Sequence, residues 1–154
     1  MPNKELRIKV TLELRQFETV MLEQDWLTYL ASEEPGYFQI CLLDPELAAH
    51  LRARTLAVHI DRAYIDKLFQ KHNIAREDLP LIQMAILQGV AIQDDDRHIT
   101  FFYRNLGKQH IKASIKVTAS QEEVLLCTFH KIRSQEFERK MRQLKHKPLL
   151  RLHK

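Results

Sequence analysis

The sequence predicts an α+β fold, with helices packed on one face of an antiparallel sheet that ends in a three-stranded meander. Three observations predict it. The last third of the chain holds three runs rich in β-branched and aromatic residues, over roughly 98–104, 110–118 and 124–130, separated by polar breaks. Ahead of them, apolar residues recur at helical spacing, most clearly in "RAYIDKLFQKH" and "EDLPLIQMAILQ". The helices fall mostly before the meander instead of alternating with its strands, which separates α+β from α/β. At 154 residues, 45% hydrophobic and 29% charged, the chain suits one domain with a real core. We expect that domain over 1–147, with an N-terminal strand and helix extension (1–55), a core (56–133) and a short basic tail (148–154).

Element by element, "LRIKVTLEL" at 6–14 alternates strictly, as a half-buried strand does. Phe17, Val20, Met21, Leu27 and Leu30 predict a helix over 16–31, and "EEPG" at 33–36 a turn. "YFQICLL" at 37–43 reads as a strand. Asp44 then caps a short helix with Pro45 at its first position, ending near Thr55. "LAVHI" at 56–60 is a further strand, Asp61 caps the helix after it, and Asn73 stops that helix. Pro80 is tolerated in the first turn of the next helix, and Gly89 stands where a C-terminal glycine belongs. "DDD" at 94–96 is a polar turn, Gly107 suits a tight hairpin, and "RSQEFERKMRQLK" is a charged helix ended by Pro148.

Pairing the first two meander strands about Gly107 sets His98 opposite Lys116, Thr100 opposite Ser114, Phe102 opposite Lys112 and Arg104 opposite His110, all on one face. The other face holds Ile99, Phe101, Tyr103, Ile111, Ala113, Ile115 and Val117, which fixes the register. In "VLLCTFH", burying Phe129 costs less than burying His130, so Leu125, Cys127 and Phe129 are expected inside. Thr128 and His130 are expected on the polar face, opposite Ser114 and Lys112. An open sheet face with Arg104, Lys112, Thr128 and His130 at one end follows. His98 falls at the other end, more than ~15 Å from His130 at ~3.3 Å per residue.

Charge is uneven. Residues 131–154 carry nine basic and two acidic side chains, +7, and the first 130 residues therefore sum to −3 within the net +4. A basic C-terminal segment suits a polyanion such as RNA. Glycine-rich phosphate loops, spaced zinc ligands and membrane-length apolar runs are all missing from the pattern. We expect no cofactor, no metal and no membrane partner. Cys41 and Cys127 are far apart and read as buried thiols, and "MPNKELRIKV" lacks a secretory core, both in keeping with the cytoplasm.

The polar face has a chemical logic. RNA is cut without metal when its own 2′-hydroxyl attacks the adjacent phosphorus. A base takes that proton, an acid protonates the leaving oxygen, and cations hold the charge that develops on phosphorus. Histidine suits the first two tasks, and lysine or arginine the third. The competing possibility is a solvated face decorated with charges.

From Leu56 to Arg133 the chain resembles the phage-type barnase–EndoU–colicin–RelE nuclease superfamily. "LAVHIDRAYIDKLFQKHNI" is similar to its strand, turn and helix ending in Lys-His. "AREDLPLIQMAILQGVAIQDDDRHITFFYR" is similar to its second helix leading into a strand, and "KASIKVTASQEEVLLCTFHKIR" to its paired strands ending in Thr-Phe-His. The resemblance implies helices followed by an antiparallel sheet and a metal-independent ribonuclease, often a toxin of phage or mobile-element origin held by an antitoxin or immunity protein. It implies Lys67, His72, Arg104, Lys116, Thr128 and His130 as catalytic candidates; Lys112, Lys131 and Arg133 stand beside them as nucleic-acid contacts. The alternatives are an inactive binding module of the same fold, and a nucleic-acid-binding regulator that works through the basic C-terminus.

Overall fold

The structure is a computed structural model that describes residues 36–105, 109–145 and 149–151, with Thr28. The chain divides between residues 34 and 35, and the fold below is that of the second unit. The strand expected at 6–14, the helix at 16–31, the turn at Gly107 and the stop at Pro148 lie outside the described residues.

Among the described residues of this unit, six strands and four helices follow one another: β1 (Tyr37–Leu42), α1 (Pro45–His50), β2 (Ala57–Asp61), α2 (Arg62–Lys71), a 3₁₀ turn (Arg76–Asp78), α3 (Pro80–Gln88), β3 (Val90–Asp95), β4 (His98–Tyr103), β5 (His110–Val117), β6 (Val124–Ile132) and α4 (Ser134–Leu144). The strands form one sheet in the order β1-β2-β6-β5-β4-β3. Its neighbours are antiparallel except β2 and β6, which run parallel over two residue pairs, Val58–Val124 and His59–Leu125. The α+β class therefore holds, and β1 joins the same sheet as the meander.

Local chemistry sets the helix starts as expected, whereas α1 ends at His50, short of the expected Thr55, with Leu51 as its cap and Arg52 turning the chain at φ 55°. The Asp44 and Asp61 carboxylates accept the amides of Glu46 (3.0 Å) and Ala63 (3.3 Å), and Pro45 opens α1. Asn73 takes φ 53°, the left-handed stop that asparagine tolerates. Gly89 is needed for a different reason from the one its position suggests. It is extended, with φ −70° and ψ 159°, so its backbone does not require glycine. A Cβ there, however, would stand 2.5 Å from the Ala85 carbonyl oxygen and 3.0 Å from that of Phe102. The acidic stretch also departs from expectation: "VAIQDD" is strand β3, paired with β4, so the turn shrinks to its last residues.

α3 is apolar on nearly every side, as a helix enclosed by its fold must be. It packs on the core face of β4 and β5, where Ile99, Phe101, Ile111, Ala113 and Ile115 are fully buried. Gln93 of the edge strand β3 donates through Nε2 to the His50 carbonyl at the end of α1 (3.0 Å), the helix that follows the other edge strand, β1.

The opposite face is not left open. α4 lies over part of it, where Phe137 and Leu144 build a second apolar cluster with Ile92, Phe102 and Ile132. Phe102 shares the polar face by parity and is the reason α4 docks there. Arg151 is another correction. Counted above among the cations of a basic tail, it pairs instead with the outer edge of β3 at Ala91. Its guanidinium caps α3 by donating to the carbonyls of Ile86 (2.6 Å) and Gly89 (2.9 Å). No helix among the described residues is long and apolar enough to cross a membrane.

Candidate functional site

The register of the meander places the site. His98 pairs with Lys116, Thr100 with Ser114 and Phe102 with Lys112 across β4 and β5. Lys112 pairs with His130 and Ser114 with Thr128 across β5 and β6. At 126–128 the ladder slips, because Ile115 pairs with Leu126 while Ser114 pairs with Thr128. This β-bulge leaves Cys127 as the extra residue and reverses the parity of β6 on its two sides. Phe129 is buried as expected. Before the bulge, the buried residues are Val124 and Leu126 instead of Leu125 and Cys127. Cys127 is thus only partly covered; its thiol donates to the Ser114 carbonyl (3.4 Å), and both cysteines are free.

Two elements then bring a second imidazole to His130. β2 separates from β6 after Leu125, which leaves the far edge of β6 without a strand partner among the described residues. α2 fills that edge, and the Tyr64 hydroxyl accepts the Phe129 amide (2.8 Å) that the ladder leaves unused. His72 follows at the C-terminus of α2, and its ring meets that of His130 edge-to-face with centroids 5.6 Å apart. The connection after His72 is clamped. Asp78 accepts the Ala75 amide (2.9 Å) and forms an ion pair with Lys131 of β6 (2.6 Å). A two-histidine arrangement is therefore present, between residues whose sequence positions give no sign of it.

The surroundings of His130 act on its proton. Burial, then the neighbouring His72 and Lys112, hold the His130 imidazole below its ordinary pKa, with Glu136 of α4 pulling the other way. Glu136 is a site neighbour that strand parity cannot find, because it arrives on the first turn of a helix. His59 faces the same side as His130, and burial likewise lowers its pKa, opposed by Glu123.

The other candidates are dispersed. Thr128 lies one step of the same face away from His130. Lys116 is four residues along β5 from Lys112, ~13 Å away at strand rise. Arg104 is two strands across, ion-paired with Glu138 of α4 and lying over the Phe137 ring. Lys131 is spent on Asp78, on the face opposite His130. Lys67 is exposed on α2, ~140° around the helix from His72. Arg133 is exposed at the start of α4, near enough in sequence to flank the site. His98 sits at the far end as expected, its Nδ1 hydrogen-bonded to Asp95 (2.8 Å). Thr100, Ser114 and His110, expected on an open surface, are buried.

What converges is His72, His130 and Lys112, with Thr128 and Glu136 at the margin: two titratable rings and a cation. Among the described residues, no group of three or more His, Cys, Asp or Glu side chains is placed to hold a metal ion. No family model matches the chain, nor does any curated protein or solved structure.

Proposed function

We propose that this chain cleaves RNA without a metal, using His130 and His72 as the proton-transfer pair and Lys112 as the cation beside the phosphate. The carrying observation is the meeting of the two imidazoles at 5.6 Å between ring centres, next to the strand position of Lys112. A phosphodiester lying across the open edges of the two adjacent rings can offer each of them an oxygen at about 3 Å. Its depressed pKa favours the neutral form of His130, which takes the 2′-hydroxyl proton. The 2′-oxygen forms a bond to phosphorus, the bond to the 5′-oxygen breaks, and His72 delivers a proton to that oxygen. The products are a 2′,3′-cyclic phosphate and a free 5′-hydroxyl. Lys112 offsets the charge gathered on phosphorus; loss of one such donor costs about 10²- to 10³-fold in rate. RNA in the cytoplasm is the substrate class, and a toxin restrained by an antitoxin or immunity protein is the biological setting that fits it.

The test is cleavage of a defined oligoribonucleotide by the full chain in chelator. Cyclic-phosphate ends are expected from the wild type, with none from His130→Ala and a loss of at least about 10²-fold from His72→Ala. The acid limb has a definite sign. A base with a depressed pKa keeps working as pH falls past the ordinary histidine value of 6.5, then loses about tenfold per unit below its own pKa. Growth arrest on expression, relieved by His130→Ala, tests the toxin setting. Intact RNA with all variants folded would overturn cleavage and leave a binding module, which the consumption of Arg104 and Lys131 in internal ion pairs favours.

A further inference from the structure

His110 opens β5, is 5% exposed, and has both ring nitrogens engaged. The Asn105 amide donates to Nδ1 (2.9 Å), so that nitrogen carries a lone pair and the proton resides on Nε2. Nε2 then donates to the Ser134 hydroxyl (3.3 Å) at the first residue of α4. The ring also lies against Phe137, the buried anchor of α4, with centroids 4.3 Å apart. One imidazole thus ties the end of β4, the start of β5 and the first turn of α4 together. That turn also carries Glu136, the carboxylate that acts on His130.

A second proton on this ring has nowhere to go. It would set an Nδ1–H against the Asn105 N–H and place a new cation near Arg104. Glu138 of α4 is the opposing charge, but it is already bound to Arg104. From β6 the ring's strand partner is Ile132, which offers an apolar side chain. We propose that neutral His110 is a latch that holds the first turn of α4 on the sheet, and that protonation releases the turn and so regulates the His130 site. The latch stands on its own contacts; only its effect on that site rests on the RNA-cleavage proposal.

The pH sense follows from the environment. Burial first and Arg104 second lower the His110 pKa, against Glu138. A depressed histidine contributes docking free energy in full above the ordinary value of 6.5, and loses it as pH falls from there toward the docked pKa.

Hydrogen exchange of the full chain, without RNA, between about pH 5 and pH 8 reads this directly. After correction for intrinsic rates, the α4 amides from Phe137 to Leu144 are expected to open more as pH falls below 6.5, by up to about tenfold per unit until the docked pKa is passed. His110→Gln keeps an acceptor and a donor but no titration, and should flatten that slope; His130→Gln should retain it. His110→Phe preserves the packing on Phe137 and is the second variant, expected to be flat and less protected. On the wild type, ¹⁵N imidazole shifts should show His110 as the Nε2–H tautomer at neutral pH. A flat wild-type profile, a slope kept by His110→Gln, or a protonated His110 at neutral pH each overturns the latch. Because no RNA is present, failure here leaves the cleavage proposal intact, and an inactive His130 site leaves the latch intact.

Discussion

Lys131 is the residue on which sequence and structure give opposite roles, and its replacement separates them. As an RNA contact it would be a free cation; in the fold it is the partner of Asp78, and together they hold the His72 connection against β6. Lys131→Met keeps the alkyl stem and removes the charge. The pair is mostly covered, with the Lys131 and Asp78 side chains 27% and 14% exposed. Exposed pairs contribute about 0–1 kcal/mol, and breaking a fully buried one costs about 3–5. Partial burial puts the loss between these, at about 1–2 kcal/mol. Urea unfolding of wild type, Lys131→Met, Asp78→Asn and the double variant should give a coupling energy of that size. The salt dependence of RNA binding should be unchanged by Lys131→Met, whereas removing a cation that neutralises a phosphate would lower the slope by about 0.7–0.9. A variant of unaltered stability with a shallower salt slope would refute the clamp and restore Lys131 to the RNA surface.

Two further outcomes concern the frame that carries the site. Gly89→Ala drives a Cβ against two backbone carbonyls that cannot swing aside, so thermal unfolding should show a loss of about 2–3 kcal/mol; a wild-type melting curve would mean that α3 and β4 are not so close. Gln83 is fully buried in α3 with neither amide atom hydrogen-bonded among the described residues, so Gln83→Met should stabilise by about 1–2 kcal/mol, and a destabilised variant would show that the amide has a partner.

The meander was legible because one face is apolar without interruption. Ile99, Phe101, Ile111, Ala113, Ile115 and Val117 tolerate a single register, and every cross-strand pair between β4 and β5 follows from it. The helix caps were legible for a local reason: Asp44, Asp61 and Asn73 act within two or three residues of themselves. β3 was hidden because Asp94 and Asp95 imitate a turn while serving as partners for Thr100 and His98 at the strand's end. β6 was half legible. Core residues Leu126 and Phe129 are three apart, an odd spacing that no regular strand can bury on one face, and that mismatch is itself the signal of a bulge.

The site was harder to read for a reason that lies in the distances involved. Strand parity assigns a face, but the partners on that face come from elements whose positions depend on the whole sheet. β2 leaves β6 after Leu125, α2 occupies the gap, and only then does His72 reach His130, 58 positions away in the chain. The same holds for α4. Its stripe of Phe137, Met141 and Leu144 announces that it must be buried, yet not on which surface. Phe102 and Ile132, with Ile92 of β3, large apolar side chains on a face that also carries Thr, Ser, Lys and His, were the available clue. Where they stand, α4 docks, His110 is covered and Arg104 is drawn to Glu138. Beyond its end the face remains accessible at Lys112 and His130. The division of one β-face into a sealed part and an open part thus comes from a few apolar residues among polar ones, and the placement of α4 decides which of the cations on that face are left free of an internal ion pair.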